Sequence, residues 1–119
     1  MRRMNDDTLI DDIFLLFPMV RYAAIWQNNS KICGGMRDNL ESYFPEETEK
    51  TSIIRQISRW LEDNELDKLG EKRYNLIVNA KARLYTIGMS QNKFLMISTE
   101  PDEIGDGLIN SILELDDIS

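Results

Sequence analysis

Few residues in this chain of 119 residues have the types and spacing that catalysis requires. The chain has one cysteine, Cys33, and no histidine, so a cysteine nucleophile activated by an imidazole is excluded. Paired carboxylates can act as general acid and base without histidine, and acidic residues are plentiful. They cluster at predicted helix starts and near the end of the chain, where capping and solvation explain them. We therefore expect no catalytic residue and no enzyme activity, and we expect Cys33 to be a small packed thiol.

Metal and phosphate sites are not predicted either. One candidate cation site consists of four acids near the start of the chain: Asp6, Asp7, Asp11 and Asp12. These acids lack the spacing of a calcium-binding loop and the glycine that such a loop needs, so they are interpreted as a solvated helix face. Gly34 and Gly35 are not followed by a helix that begins with Lys-Ser or Lys-Thr, which a phosphate-binding loop requires. We predict no cofactor.

Length and charge limit the class of protein. A chain of 119 residues can bury roughly two-thirds of its unfolded surface, so we predict a single domain over residues 1–119. The first few residues and residues 116–119 are expected to be flexible. The net charge of −7 argues against non-specific binding of nucleic acid. A local basic face remains an alternative, and it would combine four cations with two aromatic residues: Lys72, Arg73, Lys81, Arg83, Tyr74 and Tyr85.

The cellular location follows from three features of the sequence. A single cysteine cannot form an internal disulfide, which favours a reducing compartment. No apolar run approaches the ~20 residues that a membrane span needs. The start of the chain turns acidic at once and does not resemble a signal peptide. We predict a cytoplasmic protein without a membrane span.

Hydrophobic periodicity predicts three helices and five strands. Helices are expected over residues 6–17 and 46–62, with a last helix that starts at Asp102, Glu103 or Asp106. Strands are expected over residues 19–26, 31–36, 73–78, 81–87 and 93–99, with reversals at 27–30, 79–80 and 88–92. Residues 64–69 are expected to continue irregularly or as a short turn of helix, with Gly70 as its terminal cap.

The faces of these elements follow from their spacing. Asp6, Asp7 or Thr8 is expected to cap the first helix. In strand 19–26, alternation places Val20, Tyr22, Ala24 and Trp26 on one face. The second helix has one wide apolar face, formed by Ile53, Ile54, Ile57, Trp60 and Leu61. Gln56 is expected on the opposite, polar side. Trp60 has two interpretations, as a core residue or as an anchor for a partner.

The order of the strands follows from one segment. Residues 93–99 form a nearly unbroken apolar run, which is typical of a strand buried on both faces and therefore central. Hairpins place consecutive strands side by side, so the central strand must also pair with strand 19–26. The prediction is an α+β fold with element order α-β-β-α-β-β-β-α. It contains a five-stranded antiparallel sheet of order 2-1-5-4-3 with helices on its faces.

This arrangement resembles the roadblock and dynein-light-chain superfamily of profilin-like domains. The local sequence is most similar to uncharacterised archaeal proteins of that shape, over residues 13–115. The resemblance depends on four short segments: Val20-Arg21-Tyr22-Ala23, Ile32-Cys33-Gly34-Gly35-Met36, Leu69-Gly70 and Ser98-Thr99-Glu100-Pro101.

The resemblance implies a function and an interface. Roadblock-type domains are dimeric scaffolds and regulators of small GTPases, so the implied partners are a second copy and a small GTPase. Two copies would join through the open edge of the third strand, with their second helices side by side. The residues implied at that interface are Tyr74, Leu76, Val78, Ile54, Arg55, Arg59 and Trp60. An unpaired edge strand is in any case a template for another chain.

A small-molecule sensor is the alternative function. Profilin-like sheets can carry a pocket between the sheet and its helices, and here four residues could line it: Tyr22, Trp26, Tyr85 and Met96. The competing interpretation is that these side chains fill the core.

Overall fold

The fold is an antiparallel sheet with helices on both faces, as the computed structural model shows for residues 5–62, 72–101 and 107–115. The helices are α1 (Asp6–Leu16), α2 (Glu46–Glu62) and α3 (Gly107–Leu115). The strands are β1 (Val20–Gln27), β2 (Ser30–Met36), β3 (Asn75–Val78), β4 (Arg83–Gly88) and β5 (Lys93–Thr99). The sheet order is β2-β1-β5-β4-β3, which confirms the predicted fold class and topology.

Most predicted segments lie within the described residues. The expected turn at 64–69, its cap at Gly70, the start of the last helix at residues 102–106 and both chain ends lie outside them. The bounds of α2 and β5 agree with the prediction. The β3–β4 connection differs, because Asn79 N–H donates to Ala82 O over 2.9 Å and closes a four-residue loop. β4 therefore starts at Arg83 rather than at residue 81, and β3 starts at Asn75 rather than at residue 73.

A polar side chain caps the start of α1, and a backbone hydrogen bond closes its end. The Oδ1 atom of Asn5 accepts a hydrogen bond of 2.8 Å from Thr8 N–H, so Asn5 caps the helix. The predicted caps Asp6, Asp7 and Thr8 are thus wrong by at least one residue. Phe17 follows the last helical residue, and its N–H donates to Ile13 O.

The two faces of the sheet bury different sets of side chains. α1 and α3 cover one face, and the cluster there includes Leu9, Ile13, Ile25, Tyr85, Leu95 and Ile112. α2 covers the other face, and the cluster there includes Tyr22, Ala24, Trp26, Ile53, Ile57, Phe94 and Met96. The strand β5 contributes to both clusters and lies between β1 and β4, as its apolar run predicts.

One residue of β1 is on the face opposite to the prediction. The register between β1 and β5 shifts between Val20 and Tyr22. An irregularity of this kind inserts a residue and breaks the strict alternation of side chains. Val20 therefore packs in the cluster under α1 and α3, whereas Tyr22 packs under α2.

Candidate interaction edge and adjoining cleft

β3 is one border of the sheet. It pairs with β4 alone, and no strand within residues 5–62, 72–101 or 107–115 pairs with its other side. Its outward-facing apolar side chains are accessible: Val78 is 59% exposed and Leu76 is 37% exposed. A border with free backbone groups and apolar side chains can pair with another chain.

Three of the predicted interface residues share one face of this border. Leu76 and Val78 lie opposite Tyr85 and Arg83, and directly paired residues point to the same side of a sheet. That side is the one covered by α1 and α3, because Tyr85 belongs to the cluster there. Tyr74 packs against the same cluster, with its ring centroid 6.1 Å from that of Tyr85.

The other four predicted interface residues belong to α2, on the opposite face of the sheet. Ile54 and Trp60 are half-buried, while Arg55 and Arg59 are exposed. The predicted set is therefore divided between the two faces that flank the β3 border. An interface that uses the border itself would involve both faces.

Trp60 packs onto the sheet. Its ring meets Phe94 edge to face at 6.1 Å between centroids. A Cβ atom added to Gly88 would lie 2.7 Å from Cζ2 of Trp60, so the ring lies directly on that glycine. Lys72 completes the arrangement, with Nζ 4.6 Å from the ring centroid and a hydrogen bond of 2.9 Å to Trp60 O. These contacts favour the core interpretation of Trp60.

Two residues of α2 exchange the roles that the sequence predicts. Gln56, expected on the polar side, is 8% exposed, and Leu61, expected on the apolar face, is 57% exposed. Gln56 is satisfied in the interior because its Oε1 accepts from Thr86 Oγ1 at 3.4 Å and its Nε2 donates to Ser52 Oγ at 3.3 Å. The spacing of Gln56 three residues after Ile53 is the signal that could have placed it on the buried face.

A groove lies between α2 and the β3 border. It encloses about 220 Å³ and is lined by Gln56, Arg59, Asn75, Leu76, Ile77 and Thr86. Asn75 and Ile77 were not among the predicted interface residues. Their alternation with Leu76 and Val78 places them on the α2 side, where the groove leaves them partly accessible.

A larger cleft opens beside the first half of α2. Its volume is about 610 Å³, and three walls enclose it: α2, the loop before α2 that carries Tyr43 and Phe44, and the β3–β4 loop. Tyr22, Tyr85 and Met96 line it, as the small-molecule alternative expected. Trp26 does not line it. The indole of Trp26 is buried, and its Nε1 donates to Tyr22 Oη at 3.1 Å.

The charges around this cleft are unevenly distributed. Burial raises the pKa of Tyr22 far above its usual range, and the carboxylate of Glu49 raises that pKa further, so Tyr22 is a neutral phenol. Arg21 forms a salt bridge of 3.0 Å with Glu100. The guanidinium of Arg21 lies 4.6 Å from the Tyr43 ring centroid, and Lys81 Nζ lies 5.9 Å from the same ring.

The predicted basic face is divided between the two sides of the sheet. Lys72 contacts Trp60 and Lys81 contacts Tyr43, both on the α2 side. Arg83 alternates with Leu84 and therefore points to the side of α1 and α3. Arg73 lies on that side too, where its Nη2 donates to Asn110 Oδ1 at 3.4 Å. The expectation that these cations share one face is wrong, because the β3–β4 hairpin separates them.

The remaining chemical groups are weakly reactive. Burial raises the pKa of the Cys33 thiol, and the nearby carboxylates of Asp7 and Asp6 raise it further, which disfavours the nucleophilic thiolate. Within the described ranges, histidine, cysteine and acidic side chains form no group of three that could hold a metal ion. No helix in the described part of the chain combines the length and apolar character that a membrane crossing needs.

The fold of this chain, a five-stranded antiparallel sheet with helices on both faces, is also found in two solved structures. Gliding protein MglB from Thermus thermophilus shares it, with a TM-score of 0.70 and 10% identity over 90% of this chain and 78% of that chain. MglC from Myxococcus xanthus shares it with a TM-score of 0.55 and 12% identity over 94% of this chain and 92% of that chain. No protein-family model and no curated protein sequence matches the chain. At these identities, the similarity shows the fold alone.

Proposed function

We propose that this protein is a non-enzymatic interaction module that forms a homodimer through β3 and binds a small GTPase. The observation that carries the proposal is the open β3 border, with Leu76 and Val78 accessible on one face and the groove beside α2 on the other. The roadblock resemblance supports the same border, since it implies that two copies join there with their second helices side by side.

The geometry is compatible with a twofold interface. Two antiparallel copies of β3 would exchange the same backbone groups and extend the five-stranded sheet across the axis. Val78 and Leu76 would then lose their exposure on one face. On the other face, the second helices would approach over the groove that Arg59 and Ile77 line, with Arg55 exposed one turn earlier on the same helix. Burial of these apolar side chains would favour association.

The dimer is tested by measuring the mass in solution. Sedimentation equilibrium at micromolar concentrations is expected to give twice the mass of one chain. Val78→Lys would place one lysine of each copy within the proposed interface, and it is expected to weaken association by at least about tenfold, since a charge buried in an interface without a partner is costly. The matched control is Ile32→Lys on β2, the other border, where Ile32 is 46% exposed.

The outcomes separate the two borders. A wild-type monomer at micromolar concentration would contradict the homodimer. Dissociation by Ile32→Lys together with an unchanged Val78→Lys dimer would place the interface on β2 instead of β3. Dissociation by Val78→Lys alone supports the β3 interface.

The GTPase partner needs a separate experiment. Small GTPases from the same genome, beginning with any encoded beside this gene, would be loaded with GDP or with a non-hydrolysable GTP analogue. Biolayer interferometry is expected to show binding to at least one of them that depends on the nucleotide. Absence of binding in both nucleotide states, with a protein that is folded and dimeric, would contradict this part of the proposal.

A further inference from the structure

The cleft beside α2 exists because small side chains from three elements face each other. On α2, Glu49, Ser52, Ile53 and Gln56 form its wall at helical spacing. On the sheet, Ser98 of β5 lies between its paired neighbours Tyr22 and Leu84. Ala82 closes the end of the β3–β4 loop. The side chains of Ser52, Ser98 and Ala82 are all too small to fill the space between the helix and the sheet.

The size and lining of the cleft suit a small molecule. Ligand sites typically enclose roughly 300–1,000 Å³ and are mainly apolar with a few polar groups. This cleft encloses about 610 Å³, and the apolar side chains of Leu84 and Met96 on the sheet form its floor. Tyr43 and Phe44 stand at its rim with 49% and 51% of their surface exposed. Accessible aromatic residues beside an apolar cavity can cover a ligand from the solvent side.

The charged side chains around the cleft would orient a bound ligand. Glu49 on the α2 wall accepts a hydrogen bond of 3.2 Å from Ser42 Oγ, and its negative charge lies close to Tyr22. Arg21 is paired with Glu100. Lys81 stands on the β3–β4 loop, and no carboxylate among the described residues pairs with it. An anionic group is therefore attracted to the Lys81 side of the cleft and repelled from the Glu49 side.

We propose that this cleft binds a free small molecule that has an apolar body and one carboxylate, with the body over Leu84 and Met96 and the carboxylate at Lys81. A cationic head group is disfavoured, because the Tyr43 ring that could hold it already has Arg21 and Lys81 within 6 Å. The site is distinct from the β3 border, so it does not depend on the proposed dimer.

The test compares three probes that share a ten-carbon chain: decanoate, decanol and decyltrimethylammonium, each kept below its micellar concentration. Binding is measured from saturable shifts of backbone amide signals in ¹⁵N–¹H spectra. We expect decanoate to shift the signals of Tyr22, Ser52 and Lys81. Decanol is expected to bind about fivefold more weakly, as the loss of one accessible ion pair implies, and the cationic probe more weakly still.

Two pairs of variants locate the site. Ser52→Phe fills the cleft and is expected to abolish the shifts, whereas Ser58→Phe, on the exposed side of the same helix, is expected to leave them unchanged. Lys81→Gln is expected to weaken decanoate about fivefold without weakening decanol, whereas Lys50→Gln, an exposed lysine outside the cleft, is expected to change neither.

Three results would overturn the proposal. The first is no saturable shift at the lining residues with any probe. The second is equal affinity for all three probes, which would remove the role of Lys81. The third is unchanged binding to Ser52→Phe, which would place the ligand elsewhere. Solution mass recorded on the same samples reports on the proposed dimer separately, so failure of one proposal is distinguishable from failure of the other.

Discussion

Replacement of Arg37 by methionine is expected to destabilise the fold strongly, although Arg37 lies in a connecting segment. Its guanidinium donates to three backbone carbonyls: from Nε to Val20 at 2.7 Å, from Nη1 to Phe14 at 3.0 Å and from Nη2 to Phe17 at 2.8 Å. The carbonyls of Phe14 and Phe17 lie at the C-terminal end of α1, whose last turn contains no basic residue. Arg37 therefore supplies the positive charge that this helix end favours.

The magnitude follows from these three bonds. A hydrogen bond to a charged group contributes about 1.5–3 kcal/mol. Three such bonds share one charge and are not additive, so we expect Arg37→Met to lower the free energy of unfolding by about 3 kcal/mol. Methionine keeps an unbranched apolar stem but removes the guanidinium, whose Cζ also lies 4.9 Å from the Phe14 ring centroid, so the loss reports mainly on the guanidinium. Arg37→Lys is expected to recover only part of it, since one ammonium cannot replace the planar fork.

Urea unfolding followed by far-ultraviolet circular dichroism measures this loss, at one fixed protein concentration because association would shift the midpoint. Lys50→Met is the control, since Lys50 is exposed on α2 and its loss is expected to change stability by less than about 0.5 kcal/mol. A loss below about 1 kcal/mol for Arg37→Met would refute the assignment of Arg37 as a stabilising partner of the C-terminal end of α1.

Three further predictions concern single residues. The raised pKa of Tyr22 means that the unfolded chain loses this proton first, from about pH 10, so stability falls above that pH by up to about 1.4 kcal/mol per pH unit. Tyr22→Phe should remove that part of the slope in alkaline urea titrations, and an unchanged slope would contradict the burial of the phenol. Gly34→Ala should cost about 3 kcal/mol, because Gly34 has φ +90° and an added Cβ would lie 2.2 Å from Ala23 O. Gly107→Ala, where an added Cβ meets nothing within 4 Å, should be nearly neutral when both variants are compared by urea unfolding. Cys33 should react with iodoacetamide at pH 8 more slowly in the folded protein than in urea. Equal rates would show that folding neither buries the thiol nor raises its pKa.

Most of the sheet topology was predictable from local patterns in the sequence. The apolar run of β5 predicts a strand with neighbours on both sides, and the structure places β5 between β1 and β4. The asparagine-rich reversal before β2 predicts a tight turn, and Asn28 and Asn29 both adopt positive φ. These features depend on burial and backbone preference within a few residues, which a sequence displays directly.

The groove beside β3 was only partly predictable. The open border follows from the predicted strand order, whereas Leu76 and Val78 were placed at an interface on the basis of the sequence resemblance. The sequence alone assigned Gln56 to the solvent side of α2, because it cannot show that Thr86 on β4 donates a hydrogen bond to the amide oxygen of Gln56. Pairing of a buried polar group depends on a residue that is distant in the chain.

By itself, therefore, the sequence determined the strands, the helices and the order in which they pair, since each depends on the periodicity of neighbouring residues. Only the tertiary structure decided where a cavity is left between the elements and which charged side chains surround it. The shift in register at Val20 moves a side chain across the sheet, and the cleft beside α2 appears only where Ser52, Ala82 and Ser98 meet. The physical reason is that cavities and caps are properties of atoms brought together by folding, and residues far apart in the chain supply them.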